Sequence, residues 1–327
     1  MPEAADLARF RRDLIALTGD APSRDRPIAV AVSGGPDSMA LLVLAAAAFP
    51  EAVVAATIDH GLRDASADEA RMVAREAEGL AVPHAILKVD GPIVGASLQA
   101  RARDARYALL ADWAEQRRAM AVATAHHADD QAETFLMRAS RGSGVSGLAS
   151  IRSAAVVAGA SVVRPLLGWR RAALRAIVRR AGLPFVDDPA NSDPRHDRTR
   201  FRQLLDRNEW LDPPALARTA AAVAETERDL GEIALLMWRE RAEISPETVT
   251  LDPSGLPRDT LRRMVRRAIA TVRAAHDITA PAFDESANIE PMLDTLLDGR
   301  RGTQGGVVAG RRRGRWQFRI APPRRSL

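Results

Sequence analysis

Four short apolar runs in the first half of the chain, each followed by a stretch of helical length, constrain its fold more than any other feature. Pro27–Val32 (PIAVAV), Ala52–Ile58 (AVVAATI), His84–Val89 (HAILKV) and Met120–Thr124 (MAVAT) read as buried strands. Asp37–Ala48, Ala65–Gly79, Ser97–Arg118 and Asp129–Ser140 carry helical patterns. Strands that alternate with helices of this length join in parallel through crossovers. The expected class is therefore α/β, a doubly wound parallel sheet covered on both faces. Such sheets bind ligands at the carboxyl ends of their strands. After Gly182 the stretch LPFVDDPANSDPRHDRTRFR is rich in Pro, Asp and Arg and has little helical period; it reads as a linker or a functional loop. From Pro213 the pattern turns helical, and GTQGGVVAGRRRGRWQFRIAPPRR reads as two strands joined by an arginine-rich turn. With 327 residues there is length for two domains. The boundary is placed near residue 210, giving a catalytic domain over 1–210 and a smaller, mainly helical domain over 211–327 that ends in a basic hairpin.

Composition removes several chemistries. There is no cysteine, which excludes disulfides, thiolate metal sites and cysteine nucleophiles. The only lysine is Lys88, so nearly all of the positive charge behind the formal +5 is arginine. Arginine suits bidentate phosphate recognition, although a GC-rich genome would also supply it. It concentrates at Trp169–Arg180 and Arg311–Arg325, where a polyanion could dock. No apolar run approaches the roughly 20 residues of a membrane span, and MPEAADLARFRRD lacks a signal-peptide core, so a soluble cytoplasmic protein is expected.

Ser33-Gly34-Gly35-Pro36-Asp37-Ser38 lies between the first strand and the first helix. A glycine-rich turn there presents backbone N–H groups and a positive dipole end to an anion, and phosphate is the natural guest. No lysine is available for the usual nucleoside-triphosphate loop. Asp37 would repel phosphate unless Mg²⁺ bridges them, so the acid predicts a metal. An ordinary capped turn is the alternative. Further along, DHGLR (Asp59–Arg63) sits at the second strand's carboxyl edge, and ARARDARY (Ala100–Tyr107) places Arg103 and Arg106 on neighbouring helix positions. TAHHADDQAET (Thr124–Thr134) puts Asp130 and Glu133 one turn apart. Two like charges on one face call for a compensating cation: Mg²⁺, a metal shared with His126 or His127, or an amine substrate. RGSGVSGL (Arg141–Leu148) has dinucleotide-loop spacing but follows a helix, so a mobile glycine loop over the site is expected instead.

The Ser33–Ser38 stretch resembles the loop of the N-type ATP pyrophosphatases, the PP-loop superfamily. Several families share it. Taken in order, SGGPDS, DHGLR, ARDARY, TAHHADDQAET, RGSGVSGL, RPLLGWRR (Arg164–Arg171) and DPANSDPRHDRTRFR (Asp188–Arg202) resemble the tRNA(Ile)-lysidine synthetase family, closely over Pro27–Arg207. The resemblance implies ligation of free L-lysine to C2 of the wobble cytidine in tRNA(Ile) with a CAU anticodon. An adenylated cytidine would be the intermediate, with release of AMP and pyrophosphate. ATP would be held by Ser33, Gly34, Gly35, Pro36, Asp37 and Ser38, with Asp37 on Mg²⁺. Arg106 and Arg198 would lie near the adenylated base, and Asp130 and Glu133 would receive the lysine amine. Replacement of Glu133 by alanine is then expected to impair lysine transfer more than adenylation. Trp169–Arg180 and residues 195–202 are expected near the anticodon.

Two departures stand out. Arg198-Thr199 replaces the family's common Arg-Asn, and the resemblance ends after the first C-terminal domain of longer members, so tRNA discrimination would rest more on the remaining arginines. Whether the chain acts as a monomer or a homodimer is left open. The rival readings are another PP-loop adenylating, amide-forming synthetase and a non-catalytic RNA-binding protein.

Overall fold

The computed structural model describes residues 1–59, 64–88, 98–187, 197–284 and 287–322. Residues 60–63 of the DHGLR stretch, the side chain of Arg103, residues 188–196 and the tail beyond Pro322 lie outside the described residues. The chain divides into two compact units, Met1–Ala224 and Glu225–Leu327, so the division falls beyond the junction near 210 read from the sequence.

In the first unit the elements run α1 (Ala4–Thr18), β1 (Ile28–Ala31), α2 (Pro36–Ala48), β2 (Val53–Asp59), α3 (Asp64–Gly79), β3 (His84–Lys88), α4 (Leu98–Gln116), β4 (Ala121–Ala123), α5 (Ala128–Ser140), α6 (Val145–Leu148), β5 (Ala154–Val157), β6 (Ala160–Val163), α7 (Arg171–Ala181) and α8 (Asp197–Arg207). The sheet order is β3-β2-β1-β4-β6-β5. All pairs are parallel except the β5–β6 hairpin. The doubly wound α/β class expected from the alternation is therefore present.

Alternate residues of β1 feed opposite faces of the sheet, as the period of two requires. Ile28 and Val30 join a core with Phe10 and Leu14 of α1, Met39–Ala45 and Ala48 of α2, and Leu174 and Ile177 of α7. Ala29 joins the opposite core with Tyr107, Leu110 and Trp113 of α4. The chain leaves β1 towards β2 on one side and returns through β4 on the other. The carboxyl ends of β1 and β4 thus flank a topological switch point, where α/β sheets open a crevice.

The stretch read as an irregular loop after Gly182 is partly helical, because α8 begins at Asp197. Only Thr199 of this helix is buried, so it has no apolar stripe for periodicity to reveal. The glycine stretch 141–148, expected as a glycine loop, is a turn followed by the short helix α6. Arg138 Nη1 donates to the Gly147 carbonyl at 2.8 Å and to that of Ser150 at 3.2 Å, and a Cβ on Gly147 would fall 2.6 Å from that of Ser143.

The chain enters the second unit within α9 (Pro213–Arg241) and continues through β7 (Ala242–Ile244), β8 (Thr248–Leu251), α10 (Arg258–Ala275), α11 (Glu290–Leu297), β9 (Gly302–Gln304), β10 (Val307–Arg312) and β11 (Arg315–Ile320). The basic hairpin expected at the end is β10–β11, turning at Arg313-Gly314, but it belongs to a five-stranded antiparallel sheet, β7-β8-β11-β10-β9. Met264, Val265 and Ile269 of α10 pack with Trp316 and Phe318 in its core. Among the described residues no helix is long and apolar enough to cross a membrane.

Trp169 ties several elements of the first unit together. It is 1% exposed, its indole N–H donates to Asp13 Oδ2 at 3.0 Å, Arg9 stacks 4.2 Å from the ring centroid, and its carbonyl accepts from Ala128 N–H at 2.8 Å. Truncation to alanine removes a large buried ring and should cost about 3–5 kcal/mol. Urea unfolding of Trp169→Ala is expected to show that loss in the transition of the first unit.

Candidate active site

The loop from β1 into α2 is held by its own hydroxyls. Ser33 N–H donates to Ser38 Oγ at 3.1 Å, Ser38 Oγ donates to the Gly35 carbonyl at 2.9 Å, and the two hydroxyls lie 3.2 Å apart. Gly34 has φ +83°, a left-handed conformation that favours glycine, and its carbonyl accepts from Val186 N–H at 2.9 Å. Pro36 occupies the first turn of α2, where its missing N–H is not needed. No side chain caps this helix, so its positive end is open to a ligand.

The loop from β4 into α5 meets it. His127 caps α5 in a reciprocal pair: its N–H donates to Asp130 Oδ2 at 3.0 Å, and Asp130 N–H donates to His127 Nδ1 at 3.3 Å. With Nδ1 accepting, the neutral ring carries its proton on Nε2, which lies 3.4 Å from Asp37 Oδ2. Burial alone would lower the His127 pKa. The hydrogen bond to Asp37 and the charges of Asp130, Asp37 and Asp129 outweigh it, and the pKa is raised.

Three carboxylates of α5 are each met by arginine. Asp129 accepts from Arg170 Nε and Nη2 and from Arg171 N–H, the last at 2.8 Å. Arg198 of α8 donates from Nη2 to Asp130 Oδ1 at 2.6 Å and from Nε to Glu133 Oε2 at 2.7 Å. Arg202 donates to Glu133 Oε1 at 2.8 Å. Burial pushes the Asp130 pKa up, but the charges of His127, Arg198 and His126 hold it below the usual carboxylate range. Burial works against the Arg198 charge, and the same two carboxylates overcome it and raise its pKa. The compensating cation that Asp130 and Glu133 require is therefore present within the chain. Trp169–Arg180, read as an exposed basic patch, is engaged in the same way. Four of its five arginines form ion pairs: Arg170 with Asp129, Arg171 with Asp206, Arg175 with Asp187, and Arg180 with Asp6.

A cavity of about 550 Å³ opens at the switch point, lined by Ser33, Gly35, Pro36, Asp37, Ser38, Arg106, Asp130 and Arg198 among others. A second, of about 640 Å³, lies between α2, α7 and α8 and includes Arg171, Arg175 and Gln203. Pro36, Asp37, Asp130 and Arg198 belong to both. Two of the residues singled out from sequence stand behind these walls. Gly34 faces Met72 and Val73, and Glu133 is 1% exposed beneath its arginines. The sequence did not single out Thr57, Tyr107 or Val186 as cavity-lining residues, nor Arg202 as a partner of Glu133. Asp37 Oδ1 is buried without a hydrogen-bond partner, an acceptor suited to a cation. Among the described residues no three His, Asp or Glu side chains are grouped to hold a metal unaided.

Residues 7–208 match the PP-loop domain family, ATP_bind_3. The chain thus has the ATP-using domain that its strand order and loop describe. A U34-tRNA thiolase from Methanococcus maripaludis shares the fold, with a TM-score of 0.55 and 15% identity over 68% of this chain and 78% of that one. The tRNA(Ile)-lysidine synthase of Zymomonas mobilis is 42% identical over 304 residues, covering 91% of this chain and 90% of its own. That of Novosphingobium aromaticivorans is 41% identical over 322 residues, covering 98% and 95%. The chain belongs to the tRNA(Ile)-lysidine synthase family, ligases built on a PP-loop domain.

A raised histidine pKa stabilises the fold below the unfolded value of about 6.5, and the contribution fades as pH rises through the folded value. His127→Asn keeps a capping side chain and removes the titration. In metal-free buffer, the stability difference between wild type and His127→Asn is expected to be largest below about pH 6.5 and to shrink at alkaline pH, as read by denaturant unfolding across pH.

Proposed function

We propose that this chain forms lysidine in tRNA(Ile) with a CAU anticodon, using ATP and free L-lysine. The observation that carries the reading is the wall shared by the two cavities, where the Ser33–Ser38 loop, Asp130 and Arg198 meet. One cavity would take ATP against the α2 N-terminus and the other would admit the amino acid, with the cytidine between them. The cytidine C2 oxygen attacks the α-phosphorus of ATP, and the bond to pyrophosphate breaks. The ε-amine of lysine then attacks C2, and the C–O bond to AMP breaks.

Each step asks something definite of the residues. Arg106 and Arg198 offer guanidinium donors to charge developing on the transferred phosphate. Asp37 fits Mg²⁺, because its buried Oδ1 lacks any other partner. Bound there, the metal would neutralise phosphate charge. At pH 7 roughly one lysine ε-amine in two thousand is unprotonated. The lowered pKa of Asp130 makes it a better partner for the ammonium ion than a base for its proton. The proton lost on attack then passes to the departing phosphate or to solvent.

The position of Glu133 changes the expectation drawn from sequence. Buried behind Arg198 and Arg202, it is a positioning residue that acts through them. Glu133→Gln is expected to slow pyrophosphate release and lysine transfer alike, whereas loss confined to lysine transfer would show direct contact with the amine. Incorporation of labelled lysine into unmodified tRNA(Ile), with methionine tRNA as control, tests the function itself. Asp37→Ala is expected to lower pyrophosphate release at least ~100-fold, the scale of lost metal-assisted charge stabilisation. Turnover of ATP to AMP without lysine incorporation would point instead to another adenylated substrate.

A further inference from the structure

The two ends of α5 are charged differently. Its first turns carry Asp129, Asp130 and Glu133, each met by arginine. Arg138 stands in its last turn, and Arg152 and Arg164 flank the β5–β6 hairpin. Among the described residues these three guanidinium groups have no carboxylate partner; what they touch is carbonyl oxygen. Arg138 Nη1 donates to Gly147 and Ser150, Arg152 Nη2 to Ser146 at 3.4 Å, and Arg164 Nη1 to Arg152 at 2.7 Å. Asp197, which reaches this end of α5 from α8, is taken by Arg141.

Carbonyl dipoles are a weak substitute for a counter-ion. The negative end of the α5 dipole and the carbonyls supply partial charges, whereas each guanidinium carries a full one. Arg164 is 5% exposed, and its Nε is buried without a partner. A buried, unpaired charge is costly unless something of opposite sign reaches it. Burial and, after it, the charge of Arg152 hold the Arg138 pKa below its ordinary value, so these two cations feel one another. The segment that presents them is fixed rather than loose. Gln131 of α5 donates to the Ile151 carbonyl and accepts from Ile151 N–H, both at 2.8 Å. Arg138 and Arg152 are half-buried, so an oxyanion can reach them from solvent.

We infer that Arg138 and Arg152, backed by Arg164, form an oxyanion site that takes a backbone phosphate of the RNA substrate. The choice of RNA rests on the reading above, which brings a tRNA base to Asp130 near the other end of the same helix. At ~1.5 Å per residue, Arg138 stands about 12 Å along α5 from Asp130. A strand whose base enters the cavity carries a negatively charged linkage on either side of it, and the next few lie within such a length. Contacts of this kind fix the register of a nucleic acid without reading its sequence. The site therefore positions the strand and leaves the choice of base to the cavity.

The test compares the full chain as wild type, Arg152→Gln, Arg152→Lys and Arg152→Glu for tRNA(Ile) affinity by filter binding across salt, with the ATP KM and thermal unfolding. Among the described residues the Arg152 side chain makes only the long 3.4 Å bond to Ser146, so its loss should spare the fold. Arg152→Gln is expected to lower the slope of log affinity against log salt by about one, and Arg152→Lys to keep the wild-type slope. Arg152→Glu places a carboxylate beside Arg138. Its thermal midpoint is expected to match or exceed that of wild type while its tRNA affinity falls at least ~10-fold. The ATP KM should not change in any of the three. A wild-type slope in Arg152→Gln would overturn the inference, and so would a raised ATP KM, which would show that the residue acts through the cavity. Unfolding in inorganic phosphate against chloride at matched ionic strength separates the sources of the oxyanion. Phosphate protection that is lost in Arg152→Gln while the tRNA slope stays would make free phosphate the ligand and overturn the assignment to RNA. Wild-type protein that binds no tRNA would remove the functional reading itself, and this is seen before any variant is made.

Discussion

Two carboxylates one turn apart on α5, one of them 1% exposed, cannot both remain ionised away from water without a cation in contact. Arg198 and Arg202 meet that need, and much of the site follows from it. They come from α8, a helix with a single buried residue, Thr199. Apolar burial does little to hold α8 in place; charge pairing to α5 does most of it. The helix that carries the site's cations is thereby tied to the charges of the site.

The second constraint is topological. A parallel sheet whose chain leaves β1 in one direction and comes back through β4 has its loops diverge at that pair, leaving space that side chains of neither crossover fill. The β1 loop brings Asp37 there and the β4 loop brings His127, and the two meet at 3.4 Å across the divide. The glycine loop before α2 and the carboxylates of α5 come from segments far apart in sequence. Only the strand order makes them neighbours.

These differences decide what the sequence disclosed. β1, β2, β4 and α2 to α5 were legible because each buries one or both faces and so carries an apolar pattern, whereas β3, with no buried residue, was legible only from the apolar run HAILKV itself. Asp130 and Glu133 were legible as a pair because their spacing is local. Their neutralisation by Arg198 and Arg202 was not, since no local rule links residues 65 to 69 positions apart. α8 was missed for the same reason that it is held by ions, having no apolar stripe to betray it. The β5–β6 hairpin is short and half-exposed, so its alternation is weak. The α1 helix did have a signal, Phe10 and Leu14 four apart and fully buried, and it lay outside the strand alternation that organised the reading. Trp169 stood out in sequence only as part of a basic cluster, whereas its work is in the core.

The near-absence of lysine gains a physical meaning at some positions and not at others. Arg198 serves Asp130 through Nη2 and Glu133 through Nε at once, and Arg170 meets Asp129 with Nε and Nη2. A single ammonium on a flexible stem cannot reproduce a planar fork shared between two fixed acceptors. Arg138, by contrast, uses one nitrogen for two carbonyls, those of Gly147 within α6 and Ser150 just after it, a contact that needs no fork. At exposed pairs such as Arg300 with Asp298 the solvent screens either cation equally well, and composition alone accounts for the choice. Arginine supplies all but one of the chain's Lys and Arg side chains. Around α5 its geometry is what lets three acids stand within one helical turn and a half.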